Sequence, residues 1–322
     1  MPTRNYISQT KEELLSKYQV RKSRKQKEVF AEFVKKEGTE SGYKVETEKA
    51  GSVIKSHNII VGNVETAKYI FTAHYDTCAI SPFPNIIWLK NPVMYWLFQA
   101  LTIFMLLGTA FVTSLIVAVC VGTAEYTSLV LEGVLLLIFM QMMVGIRNPK
   151  TANDNTSGVL TLLTTMKEMP KEYRDKVAFV FFDNEEIGLF GSRSFNKAHN
   201  LKDKCIVNFD CVGEGDHTFF IYNKKTSTMF VNEIKLSSSS SEFSSHVFPG
   251  SFFDFASDQH SFDNGVGVTT ARRSKLGGYR VSRLHTPRDI ILDERNVANL
   301  SRWVCVLVTA ENNLENESEK RR

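Results

Sequence analysis

From Asn91 to Ala124 the chain carries no charged residue, and from Tyr126 to Ile146 it carries only Glu132. Both stretches exclude a solvated surface, and thirty-four uncharged positions in a row exceed what a buried helix of a soluble domain requires. A membrane span takes about 20 apolar residues, so the first stretch is ample and the second just sufficient. Cysteine is scarce as well. The five residues Cys78, Cys120, Cys205, Cys211 and Cys305 are odd in number and scattered, which excludes a disulfide framework. Cys78 and Cys211 stand close to the candidate ligands named below and are read as small buried hydrophobes rather than metal donors. The first thirty residues hold no apolar run of the secretory kind, so no secretory signal is expected and the polar bulk of the chain is placed in the cytosol. A large excess of one charge is also missing. With a net charge of +4 and no recognisable binding motif, nucleic acid is not expected as a partner.

What the chain does hold is 43% hydrophobic residues in a length of 322, enough to bury a large α/β core without disulfides. Three short apolar runs lead into groups able to bind a metal or move a proton. His74 closes Tyr69-Ile70-Phe71-Thr72-Ala73, Glu185 and Glu186 follow Val177 to Phe182, and Asp210 follows Cys205 to Phe209. Such runs, bounded by polar residues, read as buried parallel strands, and catalytic groups in open α/β sheets collect at strand carboxyl ends. Ser157 to Met166 reads as a helix with Val159, Leu160, Leu162, Leu163 and Met166 on one face, stacked on the sheet behind Asp154. Asp293 to about Leu314 reads as another, with Val297, Leu300, Val304 and Leu307 inward.

Five positions, His74, Asp154, Glu186, Asp210 and His285, supply two imidazoles and three carboxylates. A pair of zinc ions about 3.5 to 4 Å apart, sharing one carboxylate, takes that donor set. Asp76, two residues after His74, suits acceptance of the other imidazole proton, which fixes the tautomer. Glu185 is left without a metal. A carboxylate so placed suits a general base for attack of water on a carbonyl, returning the proton to the leaving amine.

The fragments His74-Tyr75-Asp76-Thr77, Asn153-Asp154-Asn155-Thr156-Ser157-Gly158, Asp183-Asn184-Glu185-Glu186-Ile187-Gly188-Leu189-Phe190-Gly191-Ser192, Asp210 and His285-Thr286-Pro287-Arg288-Asp289 occur in one order. With them the chain resembles the zinc aminopeptidases typified by bacterial leucyl aminopeptidase, aminopeptidase S and aminopeptidase Y, a family that also has glutamate carboxypeptidase-like and glutaminyl cyclase-like members. The likeness covers roughly residues 20 to 85 and 147 to 310. It implies an α/β fold with a mixed central sheet flanked by helices, of the phosphorylase/hydrolase-like zinc exopeptidase kind. It further implies two zinc ions per chain, Asp154 between them, His74 and Asp210 on one, Glu186 and His285 on the other, and Glu185 as base. The implied reaction removes N-terminal residues from peptides with a free N-terminus. Ser257-Asp258-Gln259-His260-Ser261-Phe262 resembles the family's later Ser-Asp-His segment, but Gln259 stands where histidine is usual and His260 is shifted by one. Its role stays open. Two other functions fit the scaffold, glutaminyl cyclase-like acyl transfer and metal-free docking at a membrane. The complete ligand set and Glu185 favour an enzyme, and Asp183 to Leu189 stands closer to the peptidases.

The departure from the family lies between the first two ligands. Where soluble relatives have a short loop, residues 86–146 intervene, read as an inserted two-helix transmembrane hairpin in a catalytic domain made of residues 1–85 and 147–322. Trp88, Tyr95 and Trp96 are expected at one membrane interface and Tyr126 at the other, with the turn Gly122 to Glu125 outside. Lys90, Arg147 and Lys150 flank the hairpin on the catalytic side, which the positive-inside rule places in the cytoplasm. Membrane lipid is therefore an expected partner, and the hairpin base, lying between His74 and Asp154, is expected at the rim of the active site. Thr10 with Glu13 suggests a capping box opening a helix that continues through Val34. Arg21, Lys22, Arg24, Lys25 and Lys27 read as a solvated helix face or a patch for anionic lipid. Ser237 to Ser241 reads as a polar, mobile loop. Nothing in the sequence indicates an oligomeric state.

Overall fold

The computed structural model describes residues 2–320 apart from 52, 53, 84, 240, 242 and 251–253, and the backbone alone for 2, 3 and 311–320. Its elements are α1 (Pro2–Lys17), α2 (Arg24–Glu40), β1 (Val45–Ala50), β2 (Ser56–Gly62), β3 (Tyr69–His74), β4 (Asn85–Leu89), α3 (Pro92–Val121), α4 (Thr127–Val144), α5 (Ser157–Glu168), β5 (Val177–Phe182), α6 (Phe190–Ala198), β6 (Cys205–Phe209), β7 (His217–Tyr222), α7 (Thr228–Ser239), β8 (Ser244–Pro249), β9 (Gly265–Arg273), β10 (Tyr279–Leu284) and α8 (Glu294–Lys320). The strands form one mixed sheet in the order β1-β2-β5-β3-β6-β9-β10-β4, with β7 beside β9 and β8 beside β7. The middle of the sheet, β5, β3, β6 and β9, is parallel. The strands outside it join antiparallel, except β8, which runs parallel to β7.

Central parallel strands are covered on both faces, which is why they read as unbroken apolar runs. Along β5, Val177, Phe179 and Phe181 enter a core shared with α1, α2, α5 and α8, while Ala178, Val180 and Phe182 enter a second core with α6. The α5 helix is buried all round from Ser157 to Met166, not on one face. It is wedged between β3 and the helices α1 and α8. In α8, Val297, Leu300, Val304 and Leu307 point inward as expected.

Two local expectations are corrected. Thr10 lies buried inside α1 and caps nothing; the capping box is formed by Ser23, whose Oγ accepts from the Gln26 N–H (3.4 Å) while its own N–H donates to Gln26 Oε1 (2.9 Å). A cap needs the free amides of a helix's first turn, and Thr10 lies past the first turn of α1 while Ser23 precedes that of α2. Ser237 to Ser239 end α7 rather than form a loop, with Ser237 and Ser238 buried; their hydroxyls bond back to helix carbonyls, and Trp303 Nε1 donates to Ser237 Oγ at 3.0 Å. Ser240 lies outside the described residues.

Both apolar helices, α3 with 30 residues and α4 with 18, are long and apolar enough to cross a membrane. Only Ala110 and Ser114 of α3, and no residue of α4, are buried. Gly122 closes α3 in the left-handed region at φ 76°, where a side chain would be strained. Ile86 to Leu89, expected inside the hairpin, join Asn85 in β4 on the edge of the main sheet against β10. Trp88 is accordingly buried against the domain instead of at a lipid interface, while Trp96 and Tyr126 are exposed.

Candidate metal centre

Because β3, β5 and β6 are parallel, their carboxyl ends meet at one edge. His74 is the last residue of β3, Glu185 and Glu186 follow β5, and Asp210 follows β6. Asp154 reaches the same edge from the segment before α5. His285 comes from an antiparallel strand, so its arrival needs a detour: β9 runs on past Val268, the partner of Phe209, to Arg273, and β10 returns. The left-handed backbone at Asn184 (φ 58°), Cys211 (φ 56°) and His285 (φ 55°) turns the chain sharply beside Glu185, Asp210 and His285 itself. Non-glycine residues hold that conformation only where the surroundings impose it.

The structure brings all five ligand candidates together. His74 Nε2 lies 3.3 Å from Asp154 Oδ1 and 3.6 Å from Asp210 Oδ1. His285 Nε2 lies 3.1 Å from Asp154 Oδ2 and 3.2 Å from Glu186 Oε2. Asp154 thus offers one oxygen to each imidazole. Glu186 Oε1 and Asp210 Oδ1 are buried and make no hydrogen bond among the described residues. Buried carboxylate oxygens left so are costly unless a cation completes them. Donor atoms of His74, Asp154 and Glu186 come within 4.8 Å of one another. Nitrogen and carboxylate oxygen at this spacing suit zinc, so the residues fit the metal the sequence implies.

Burial alone lowers the pKa of His285, but Glu186 and Asp154 lift it to about 9. His74 is raised well above its usual value by Glu185, Asp154 and Asp210 against the same burial. Burial raises Glu186 to about 8 and pushes Glu185 well above the carboxylate range, with His74 opposing in both cases. Asp154 is held below the ordinary range by hydrogen bonds from His285 and His74, in spite of burial. Cys78 and Cys211 are buried, and burial pushes both thiols up; the Cys78 sulfur lies near donor atoms of Glu186 and His285, and the Cys211 sulfur near those of Asp154 and Asp210.

Supporting contacts fix the cluster. The Asp76 carboxylate accepts from the N–H groups of Glu185 (3.0 Å) and Glu186 (3.3 Å), tying the β3 end to the β5 loop. His74 Nδ1 lies 3.2 Å from the Asp76 carbonyl and 3.6 Å from its Oδ1. Asn155 donates to the Phe209 carbonyl at 2.9 Å, and a Cβ on Gly158 would meet that same oxygen at 2.4 Å, so only glycine allows the approach.

Three residues carry roles the sequence did not reveal. Asp289 accepts from the N–H groups of Asn153 (2.7 Å) and Asp154 (2.9 Å), locking the His285 segment to the Asp154 segment. Its only signal was its place four residues after His285. Arg21, read as part of a solvated or lipid-facing helix face, is wholly buried; it donates to the carbonyls of Tyr75 and Tyr18 and to Thr156 Oγ1. Lys27 of the same cluster bridges Asp183 (2.5 Å) and Asn184 (2.8 Å). The cluster is split because Arg21 lies in the link between α1 and α2, buried against Tyr75 and Thr156, while Lys27 on α2 reaches the loop after β5. Asp258 is buried, its carboxylate oxygens make no hydrogen bond within normal geometry among the described residues, and burial raises it to about 7 against the nearby Ser192 hydroxyl and His74. Next to it, Gln259 accepts from Asn208 Nδ2 (3.2 Å) and donates to the Phe255 carbonyl (2.7 Å), a structural tie that needs an amide.

The cluster opens into a cavity of about 420 Å³ whose wall includes Glu185, Leu189 and Phe255 of the domain, Tyr95 and Gln99 of α3, and Met143 of α4. The structure is similar to the aminopeptidase LapA of Legionella pneumophila (TM-score 0.57, 14% identity, 95% of this chain and 68% of that one). It is similar to a Zn-dependent exopeptidase from Parabacteroides distasonis (0.59, 14%, 95% and 96%). It is likewise similar to glutaminyl cyclase from Porphyromonas gingivalis (0.59, 12%, 96% and 97%). These likenesses show the zinc exopeptidase fold. No curated protein matches the sequence. Residues 141–308, which hold Asp154, Glu185, Glu186, Asp210 and His285 and leave His74 outside, match Peptidase family M28, and the chain belongs to that family.

Proposed function

We propose that the protein is a membrane-anchored di-zinc aminopeptidase. The observation that carries this reading is Asp154, with its two oxygens turned to two different histidines. His74 and Asp210 would hold one ion, Glu186 and His285 the other, and Asp154 both. The ions, when bound, polarise the scissile carbonyl and make water more acidic. Glu185 would then take a proton from the attacking water and return it to the departing amine. Asp76 keeps Glu185 in place through the backbone.

The hairpin of α3 and α4 supports the anchor, since two apolar helices with almost no buried side chain need a non-aqueous surrounding. Lys90, Arg147 and Lys150 at its foot support a cytoplasmic catalytic domain at the cell membrane. The decisive experiment uses the full chain in detergent with added zinc. Metal content near two ions per chain and release of N-terminal residues from peptides and aminoacyl amides are expected. Cyclisation of peptides beginning with glutamine, without hydrolysis of the others, would assign the related acyl-transfer chemistry instead. Absence of bound metal would leave a docking protein.

A further inference from the structure

The cavity has two unlike ends. One is the carboxylate and imidazole cluster; the other is the foot of the hairpin, where Tyr95, Gln99 and Met143 form the wall. At this level α3 has two faces. Tyr95 and Gln99, one turn apart, line the cavity, while Val93, Trp96 and Leu97 are 73%, 57% and 59% exposed. A single helix, roughly 10 Å across, therefore stands between the reactive groups and the apolar surroundings.

Length places these turns. The 30 residues of α3 rise about 45 Å and the 18 of α4 about 27 Å, against a hydrocarbon core of about 30 Å. The helices are joined at the Gly122 end, so the surplus of α3 falls at its start. Residues 92 to about 103 extend past the end of α4, at the boundary between membrane and water. Within them Gln99 is half-buried and its amide has no hydrogen-bond partner among the described residues, whereas Thr102 bonds back to its own helix at 3.0 Å. A primary amide carries a donor and an acceptor, the complement of one peptide unit. Polar side chains on apolar spans mark function. Met143 offers a deformable apolar wall for varied side chains.

We infer that this part of α3 is the subsite for the substrate beyond the scissile bond, and that the substrates are peptides with a free N-terminus whose following segment lies in the membrane–water boundary. The inference rests on the aminopeptidase reading. Such a peptide reaches the cluster along the same helix that anchors the enzyme.

The test uses full-length protein in liposomes and three substrates: an aminoacyl amide, a peptide continuing into an amphipathic segment that partitions onto the vesicles, and its scrambled polar counterpart that stays in solution. Gln99→Ala should raise KM for the vesicle-bound peptide about tenfold more than for the aminoacyl amide, as loss of one or two amide hydrogen bonds gives. The change should fall on KM more than on kcat. Equal changes for all three substrates overturn the subsite. A second readout does not depend on turnover: Gln99→benzoylphenylalanine should photocrosslink the amphipathic peptide and not the polar one. Crosslinking without hydrolysis of any substrate keeps the subsite and removes the aminopeptidase reading. Hydrolysis without crosslinking removes the subsite alone, and neither removes both.

Discussion

Asp154 faces both histidines, and Glu185 stands beside them on the one loop that Asp76 holds by two backbone amides. Replacing Glu185 by Gln removes a proton acceptor without changing shape. Hydrolysis should fall by about 10² to 10⁴-fold with metal content retained; activity within a few-fold of wild type would assign the base elsewhere. Arg21 acts at a distance from the chemistry. Its guanidinium satisfies two carbonyls and Thr156 in a fully buried place, so Arg21→Met should cost on the order of 3 kcal/mol in a urea titration. A loss under about 0.5 kcal/mol, the usual range for surface changes, would return Arg21 to a surface role. The place of Glu185 beside the cluster could be read from its neighbours in the chain. The burial of Arg21 could not, because a run of cations looks the same whether its members face lipid or pack against the domain.

The hairpin and β4 are adjacent in sequence but belong to different parts of the structure. Trp88 and Leu89 are buried in the sheet edge, each worth about 2 kcal/mol of burial, whereas α3 and α4 bury almost nothing. Deleting residues 91–146 and joining Lys90 to Arg147 with a glycine-rich linker should therefore release a soluble, folded domain. Deleting 86–146 takes most of β4 as well and should lower the melting temperature clearly. Recovery of the intact chain without detergent, or equal stability of the two deletions, would contradict this division. Periodicity could not separate β4 from α3, since a short apolar strand running into an apolar helix shows no break until the partner strand β10 is seen.

At the scale of the whole molecule the metal-free site is a store of protons. His285 is raised from 6.5 to about 9, and Glu186 from 4.5 to about 8. Groups with raised folded-state pKa bind more protons folded than unfolded, so each contribution is complete below the unfolded value and is lost as pH climbs through the folded one. The metal-free protein should melt at falling temperature between pH 4.5 and 9. Zinc must displace the His285 proton, so calorimetry near pH 7 in buffers of different ionisation enthalpy should register release of at least one proton per chain. No release would take His285 out of the ligand set.

The sequence by itself determined the chemistry: donor types, their order, and the strands that carry His74, Glu186 and Asp210, because apolar runs and the polar residues that end them are local. It also marked two helices as long and apolar enough to cross a membrane. Only the tertiary structure decided how His285 arrives, since the return of β10 depends on β9 overrunning β6. Only the tertiary structure showed that Asp289 and Arg21 brace the site and that Gln99 lines it. These are contacts between segments far apart in the chain, set by packing of one element on another, and no spacing along the sequence encodes them.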